Sequence, residues 1–247
     1  VKVDPFVQLK ILDLQDLDSQ LRRLTVKRAE LPAHRTIAET EAELAVARDE
    51  LVTHQTRMND QGRAAARLEA DIEQVRSRYT RDQQRLDSGA ITNSKELESL
   101  QSELASLARR QNVLEDEELE ILEVREEAEH GAAAAQARIA EIEARLATAI
   151  EDRDREVAAL DTEAATALAA RGELVPTLPA ELVALYERIR ADRGGVGAAA
   201  LRRRRCEGCH LELAGNDLTE VREAAPDEVL RHEDCGRILV RTADSGL

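Results

Sequence analysis

The chain has 247 residues, a formal net charge of -15, one Phe, two Tyr and no Trp. So few aromatics exclude a large compact core of the usual kind, and the acidity excludes wrapping nucleic acid over the whole surface, which needs a positive field. With 43% hydrophobic residues, almost all aliphatic, and 34% charged residues, the composition suits long helices that meet along narrow seams and carry solvated outer faces.

The opening VKVDPFVQLK lacks the continuous apolar run of a signal peptide. No later stretch approaches the roughly 20 apolar residues needed to cross a bilayer. A cytoplasmic chain without a membrane role is therefore expected. Leu14, Leu17, Leu21 and Leu24 form a first helical seam. Pro32 lacks an amide hydrogen, so a kink or break is expected there. Beyond it, apolar positions from Ile37 through Leu44, Leu51, Leu68 and Ile72 to Leu86 form a second seam.

The stretch Asp87–Ser94 reads as a turn. Gly89 marks a helix exit, and Asn93 with Glu96 has the spacing of a reciprocal capping box. From Leu97 to Ala149 the next arm alternates spacings of three and four, which is a heptad seam. Ala128, Ala132 and Ala135 should let the facing helix approach closely. Gln111, Glu118 and Arg125 place polar groups on that seam, as register markers or a partner-binding point. The two arms are similar in length about the turn. An antiparallel coiled-coil hairpin over residues 1–175, with its turn at about 87–94, is the simplest architecture. It satisfies its own seam, so a monomer or a dimer is compatible with it.

Gly172, Pro176 and Pro179 end the second arm. A short helix over 179–193 should dock on the hairpin base through Leu182, Leu185, Tyr186 and Ile189. Gly194–Gly197 lacks the lysine and preceding strand of a phosphate loop and reads as a hinge. Residues 176–200 are thus a docking helix and hinge. Arg202, Arg203, Arg204 and Arg205 follow as the sharpest positive cluster, suited to phosphates, to the acidic helices or to a negatively charged metal centre.

Cys206-Glu207-Gly208-Cys209 is separated by 22 residues from His232-Glu233-Asp234-Cys235. Two pairs with two residues between their donors make the knuckles of a zinc ribbon, placed in residues 201–247. Cys206, Cys209, His232 and Cys235 would fill a tetrahedral Zn²⁺ completely, which points to structure rather than Lewis-acid catalysis. His210 is an alternative fourth donor, although its adjacency to Cys209 is awkward. Cys206–His210 also spells a haem-attachment signature, and CxxC occurs in redox dithiols; the missing export signal and the missing βαβ pattern argue against each.

At this point the chain resembles a bacterial family of coiled-coil hairpin proteins with a C4-type zinc ribbon. The resemblance rests on the turn from Ser88 to Leu100, on Leu178–Leu182, Tyr186–Ile189 and Gly194–Gly197, and on Cys235–Leu239. It implies a mainly α fold with a long antiparallel hairpin and a small ribbon. It also implies a cysteine at the place of His232. Family members are described as nucleic-acid binding or as adaptors. Two functions follow as expectations. The first is a non-catalytic adaptor that binds a protein partner through hairpin and ribbon, with Asn93, Ser94, Lys95 and Glu96 as a contact point. The second is RNA or DNA binding through Arg202–Arg205, Arg237 and Arg241. No motif assigns catalysis.

Overall fold

The computed structural model describes residues 1–247 and contains five α-helices and one four-stranded sheet. The chain divides into two compact units, one made of Arg35–Ile150 and the other of Val1–His34 with Glu151–Leu247.

The first unit is the hairpin. It is built from most of α2 (Pro32–Asp87) and the first part of α3 (Ser94–Leu174). Ile37, Leu44, Ala47 and Ile72 of α2 and Leu100, Leu104, Leu114, Ala128, Ala135 and Ile142 of α3 are buried, as the seam spacing predicts. Ion pairs run beside the seam: Arg48–Glu143 and Arg76–Glu115 at 2.7 Å, and Arg85–Glu96 at 2.6 Å. Partners rise in number along one arm and fall along the other, which is antiparallel pairing. Each pair is screened by solvent and adds little singly, so together they select register more than they stabilise.

Two seam positions differ from the expectation. Leu97 and Arg125 are exposed, and Val124 turns partly inward in place of Arg125. A straight helix of 3.6 residues per turn drifts against a 3.5-residue repeat, so the inward position moves by one where polar residues interrupt the stripe. At the turn, Gly89 takes φ +65° and the Asn93 Oδ1 accepts from the Lys95 N–H at 2.9 Å. The reciprocal half of the capping box is replaced: the Glu96 carboxylate accepts from Arg85 across the hairpin. A charged donor makes the stronger bond, and it ties the two arms together.

The second unit begins with α1 (Pro5–Ala29), opened by Pro5 and by the Asp4 carboxylate, which accepts from the Phe6 N–H at 2.8 Å. The helix stops before Pro32, where the sequence predicts a break. The end of α3 leads through a short 3-10 turn into α4 (Ala180–Asp192). Strands β1 (Ala198–Arg202), β2 (Arg205–Cys206), β3 (Leu230–Arg231) and β4 (Ile238–Arg241) lie in the order β2-β1-β4-β3. β1 and β4 are parallel, with Ala198 opposite Ile238. The helix α5 (Gly215–Glu223) lies between β2 and β3 in sequence. Side chains alternate across a sheet. Ala198, Ile238 and Val240 therefore join Ile11, Leu14, Leu182 and Tyr186 in one core, while Ala199, Leu201 and Leu239 join Val221, Cys206 and Cys235 in another.

A buried polar ladder on α1 joins these parts. The Gln8 amide donates to the carbonyls of Val3 at 2.8 Å and Pro226 at 3.2 Å. The Gln15 Oε1 accepts from the N–H groups of Gly197 at 2.7 Å and Ala198 at 3.3 Å, and its amide donates to the Gly195 carbonyl at 3.2 Å. Asp18 accepts from Arg171 and from the Tyr186 hydroxyl, each at 2.7 Å, and lies 3.6 Å from Arg190. Glu187 in turn pairs with both arginines. Burial and the Asp18 carboxylate push the Tyr186 hydroxyl well above its ordinary range, so it stays a donor.

Gly194–Gly197, expected as a hinge, is instead clamped. Arg22 donates to the Gly194 carbonyl, Gln15 holds the next residues, and a Cβ at Gly197 would meet the Tyr186 ring and carbonyl at 2.7 Å. Two outcomes follow. Asp18→Ala leaves the buried Tyr186 hydroxyl without its acceptor and removes one of the two carboxylates that face Arg171 and Arg190, and should cost about 1–3 kcal/mol. Gly197→Ala should cost about 1–3 kcal/mol through overpacking. Hydrogen exchange read by mass spectrometry should then show faster exchange in α1, α4 and β1, with residues 35–150 unchanged; uniform acceleration, or none, would contradict the ladder's role.

Candidate metal centre

The first knuckle grows from the β1–β2 hairpin. Arg203 and Arg204 take φ of 46° and 62°, the left-handed pair that a tight two-residue hairpin turn demands. Their N–H groups donate to the carbonyls of Asp244 at 2.7 Å and Ser245 at 2.8 Å. This registers Arg202 against Arg205 and Leu201 against Cys206, which sets Cys206 at the end of the ladder.

The two knuckles repeat one backbone device. The His210 N–H donates to the Cys206 carbonyl at 2.7 Å, and the Gly236 N–H donates to the His232 carbonyl at 2.8 Å. His210 and Gly236 have nearly the same left-handed φ, 63° and 67°. His210 thus occupies the turn position that Gly236 fills in the second knuckle. It is exposed and stands outside the donor cluster, so the histidine of the haem-like signature is a turn residue. Gly208 is needed for close approach, since a Cβ there would lie 2.9 Å from the Ala199 Cβ.

The donor atoms of Cys206, Cys209, His232 and Cys235 all lie within 4.8 Å of one another. The His232 Nδ1 is 3.2 Å from the Cys235 Sγ and 3.5 Å from the Cys209 Sγ. A tetrahedral zinc with bonds of about 2.3 Å to sulfur and about 2.0–2.1 Å to nitrogen has S···N edges of roughly 3.6 Å. The donor set and its spacing therefore fit zinc, and these four side chains would fill all positions of a tetrahedron.

The surroundings treat the thiols unequally. Burial pushes the Cys206 thiol up to about 12, against the N–H groups of Gly208 and Cys209. Burial also acts on Cys235, but the Arg237 N–H and guanidinium, His232 and Cys209 outweigh it and bring that thiol down to about 7. Arg237 therefore supplies positive charge where a centre with three thiolates has an excess of negative charge.

Arg202–Arg205 are exposed, and three of them line a polar cavity with Glu207, Glu212 and Asp244. Arg237 donates to the carbonyls of Val196 at 3.1 Å and Arg193 at 3.2 Å. Arg241 donates to the Ala224 carbonyl at 2.8 Å and the Ala225 carbonyl at 2.5 Å, closing the end of α5. Both guanidinium groups thus have partners inside the fold. Asn93, Ser94, Lys95 and Glu96 are exposed at the hairpin turn. Sequence reasoning did not single out Asp217 and Asp234, which gather with His232. The histidine standing among cysteines was the available signal, because a ligating imidazole has a second nitrogen to satisfy.

No helix is long and apolar enough to cross a membrane. Residues 14–194 match the family described as a CT398-like coiled coil hairpin domain, and residues 205–239 match a C4-type zinc ribbon domain. The chain is 38% identical over 234 residues to an uncharacterized protein of Mycobacterium tuberculosis, covering 95% of each. A solved structure from Mycobacterium smegmatis superposes with a TM-score of 0.88 at 32% identity, covering 98% of this chain and 100% of that one. CT398 from Chlamydia trachomatis shares the fold, with a TM-score of 0.73 at 20% identity over 96% of this chain and 98% of its own. Both matched domains are of non-catalytic kinds. The chain therefore belongs to the family of CT398-like coiled-coil hairpin proteins that carry a C4-type zinc ribbon, with His232 standing among three cysteines in its donor cluster.

Proposed function

We propose that the protein is a non-catalytic adaptor that binds a protein partner through the hairpin and the ribbon, and that Cys206, Cys209, His232 and Cys235 hold one structural Zn²⁺. The observation that carries the adaptor reading is where satisfaction ends. The seam and the polar ladder are satisfied internally, while the helical outer faces keep exposed apolar side chains. Val46 and Val52 on α2 and Leu119 and Leu122 on α3 are 41–60% exposed, and the polar turn Asn93–Glu96 is free of packing. Extended helices of this kind offer anchors to a groove or to a second helix.

Nucleic-acid binding is the second reading, and its footprint contracts to Arg202–Arg205. Arg237 and Arg241 are engaged with carbonyls, and Glu207, Glu212 and Asp244 beside the remaining run weaken its positive field. Photo-crosslinkers at positions 46, 52, 119 and 122, used in native cytosol with nuclease, separate the two readings. The adaptor predicts a discrete protein adduct that survives nuclease and the quadruple alanine variant of Arg202–Arg205. RNA or DNA recovered with the protein, lost in that variant and falling steeply with salt, would place function on the arginines instead.

The metal reading predicts one zinc per chain by atomic emission, removed by a strong chelator together with protection of the ribbon amides. Cys206→Ala and His232→Ala should lose that zinc. His210→Gly should keep it and change stability by no more than about 1 kcal/mol in the stabilising direction, because glycine takes the left-handed turn without strain. Zinc lost from His210→Gly and retained by His232→Ala would reverse the ligand assignment.

A further inference from the structure

We infer that Asp234 and Asp217 are positioning residues for the metal centre: they hold His232 as its Nε2–H tautomer, so that the Nδ1 lone pair faces the three sulfurs. The inference rests on the zinc reading of the cluster. His232 is 2% exposed, and its two ring nitrogens have opposite surroundings. Nδ1 lies against the sulfurs of Cys209 and Cys235. Nε2 is buried without a hydrogen-bond partner and lies 3.9 Å from an Asp234 carboxylate oxygen. Asp217, Asp234 and His232 bring their oxygens and ring nitrogen within 4.8 Å of one another.

A neutral imidazole carries one donor and one acceptor nitrogen. With the proton on Nδ1, an N–H would occupy the donor position and the Nε2 lone pair would face two carboxylates. With the proton on Nε2, the lone pair meets the metal position and the N–H meets the carboxylates. Charge on both sides selects the second form. The 3.9 Å separation is about 1 Å beyond a hydrogen bond, within the reach of an exposed Asp234 side chain. Asp217 enters from the first turn of α5. A carboxylate behind a ligating imidazole fixes the ring and raises its basicity.

This arrangement follows from the donor type. A thiolate has no second nitrogen, so a four-cysteine site needs no such acceptor. The pair of aspartates thus adapts the ribbon to histidine as its fourth donor, and the effect of the aspartates should depend on His232 being present.

The test is a cycle of variants of the full chain. Zinc affinity is measured by competition with a chromophoric chelator for wild type, Asp234→Ala, Asp217→Ala and the double variant. Each is repeated in the His232→Cys background. The double variant should bind zinc about 10–100-fold more weakly when His232 is present. With Cys at 232 the same changes should be nearly silent. Asp234→Asn, which keeps a carbonyl acceptor, should recover most of the loss, and ¹⁵N NMR of zinc-loaded wild type should show the proton of His232 on Nε2. Equal losses in both backgrounds, no loss in either, or a second metal equivalent that disappears with the aspartates would overturn the inference while leaving the four-donor zinc centre standing. Failure of wild type to bind zinc would overturn both.

Discussion

The second unit depends on a constraint that is polar rather than apolar. Strand β1 and the glycines before it run close to α1, and backbone groups buried there must find partners or lose the free energy of desolvation. Gln15 supplies both an acceptor and a donor to that segment, and the Gln8 amide donates to carbonyls of the chain before α1 and of the loop after α5. Asp18 completes the stripe by collecting Arg171, Arg190 and Tyr186 from α3 and α4. A glutamine or aspartate placed one residue away would face another side of the helix, so the ladder fixes how sheet and helices meet. Apolar packing around Ile11, Leu182 and Tyr186 then stabilises an arrangement that hydrogen bonds have already selected.

The ribbon illustrates a second economy. Its own core is small, and two of its buried members are the thiols of Cys206 and Cys235. A fragment of this size has little apolar area of its own, and a metal held by donors from both knuckles would supply cross-linking that side-chain burial cannot. The sheet also lends one face to the helical core, so β1 and β4 are supported from both sides. The four donors therefore sit in a ribbon backed by two cores, and together they would leave a bound metal no open coordination position.

The hairpin follows different rules. Its seam repeats the same few aliphatic residues, so hydrophobic contact alone would tolerate several registers. Cross-arm pairs such as Arg48–Glu143, Arg76–Glu115 and Arg85–Glu96 are weak singly, but each wrong register breaks several at once. The small buried Ala47 of one arm and Ala128 and Ala135 of the other add steric markers along the seam. Acidic and basic residues on the outer faces keep so long a surface solvated, while Val46, Val52, Leu119 and Leu122 remain exposed among them.

The sequence by itself determined what depends on local spacing. Heptad periodicity located both arms, Gly89 and Asn93 located the turn, Pro32 located the break, and the pairs Cys206–Cys209 and His232–Cys235 marked four side chains that the fold gathers. Such patterns are legible because a helix or a knuckle brings together residues only a few positions apart. Tertiary structure alone decided what depends on distant neighbours. It turned Gly194–Gly197 from a hinge into a clamped strand entry, because Gln15 and Arg22 lie far away in the chain. It drew Glu96 from its own helix end to Arg85 and gave Arg237 and Arg241 to carbonyls inside the fold. It placed Asp217 beside His232, fifteen residues away in sequence. Polar side chains can satisfy several alternative partners, and only the folded chain decides which of them is near enough and buried enough to win.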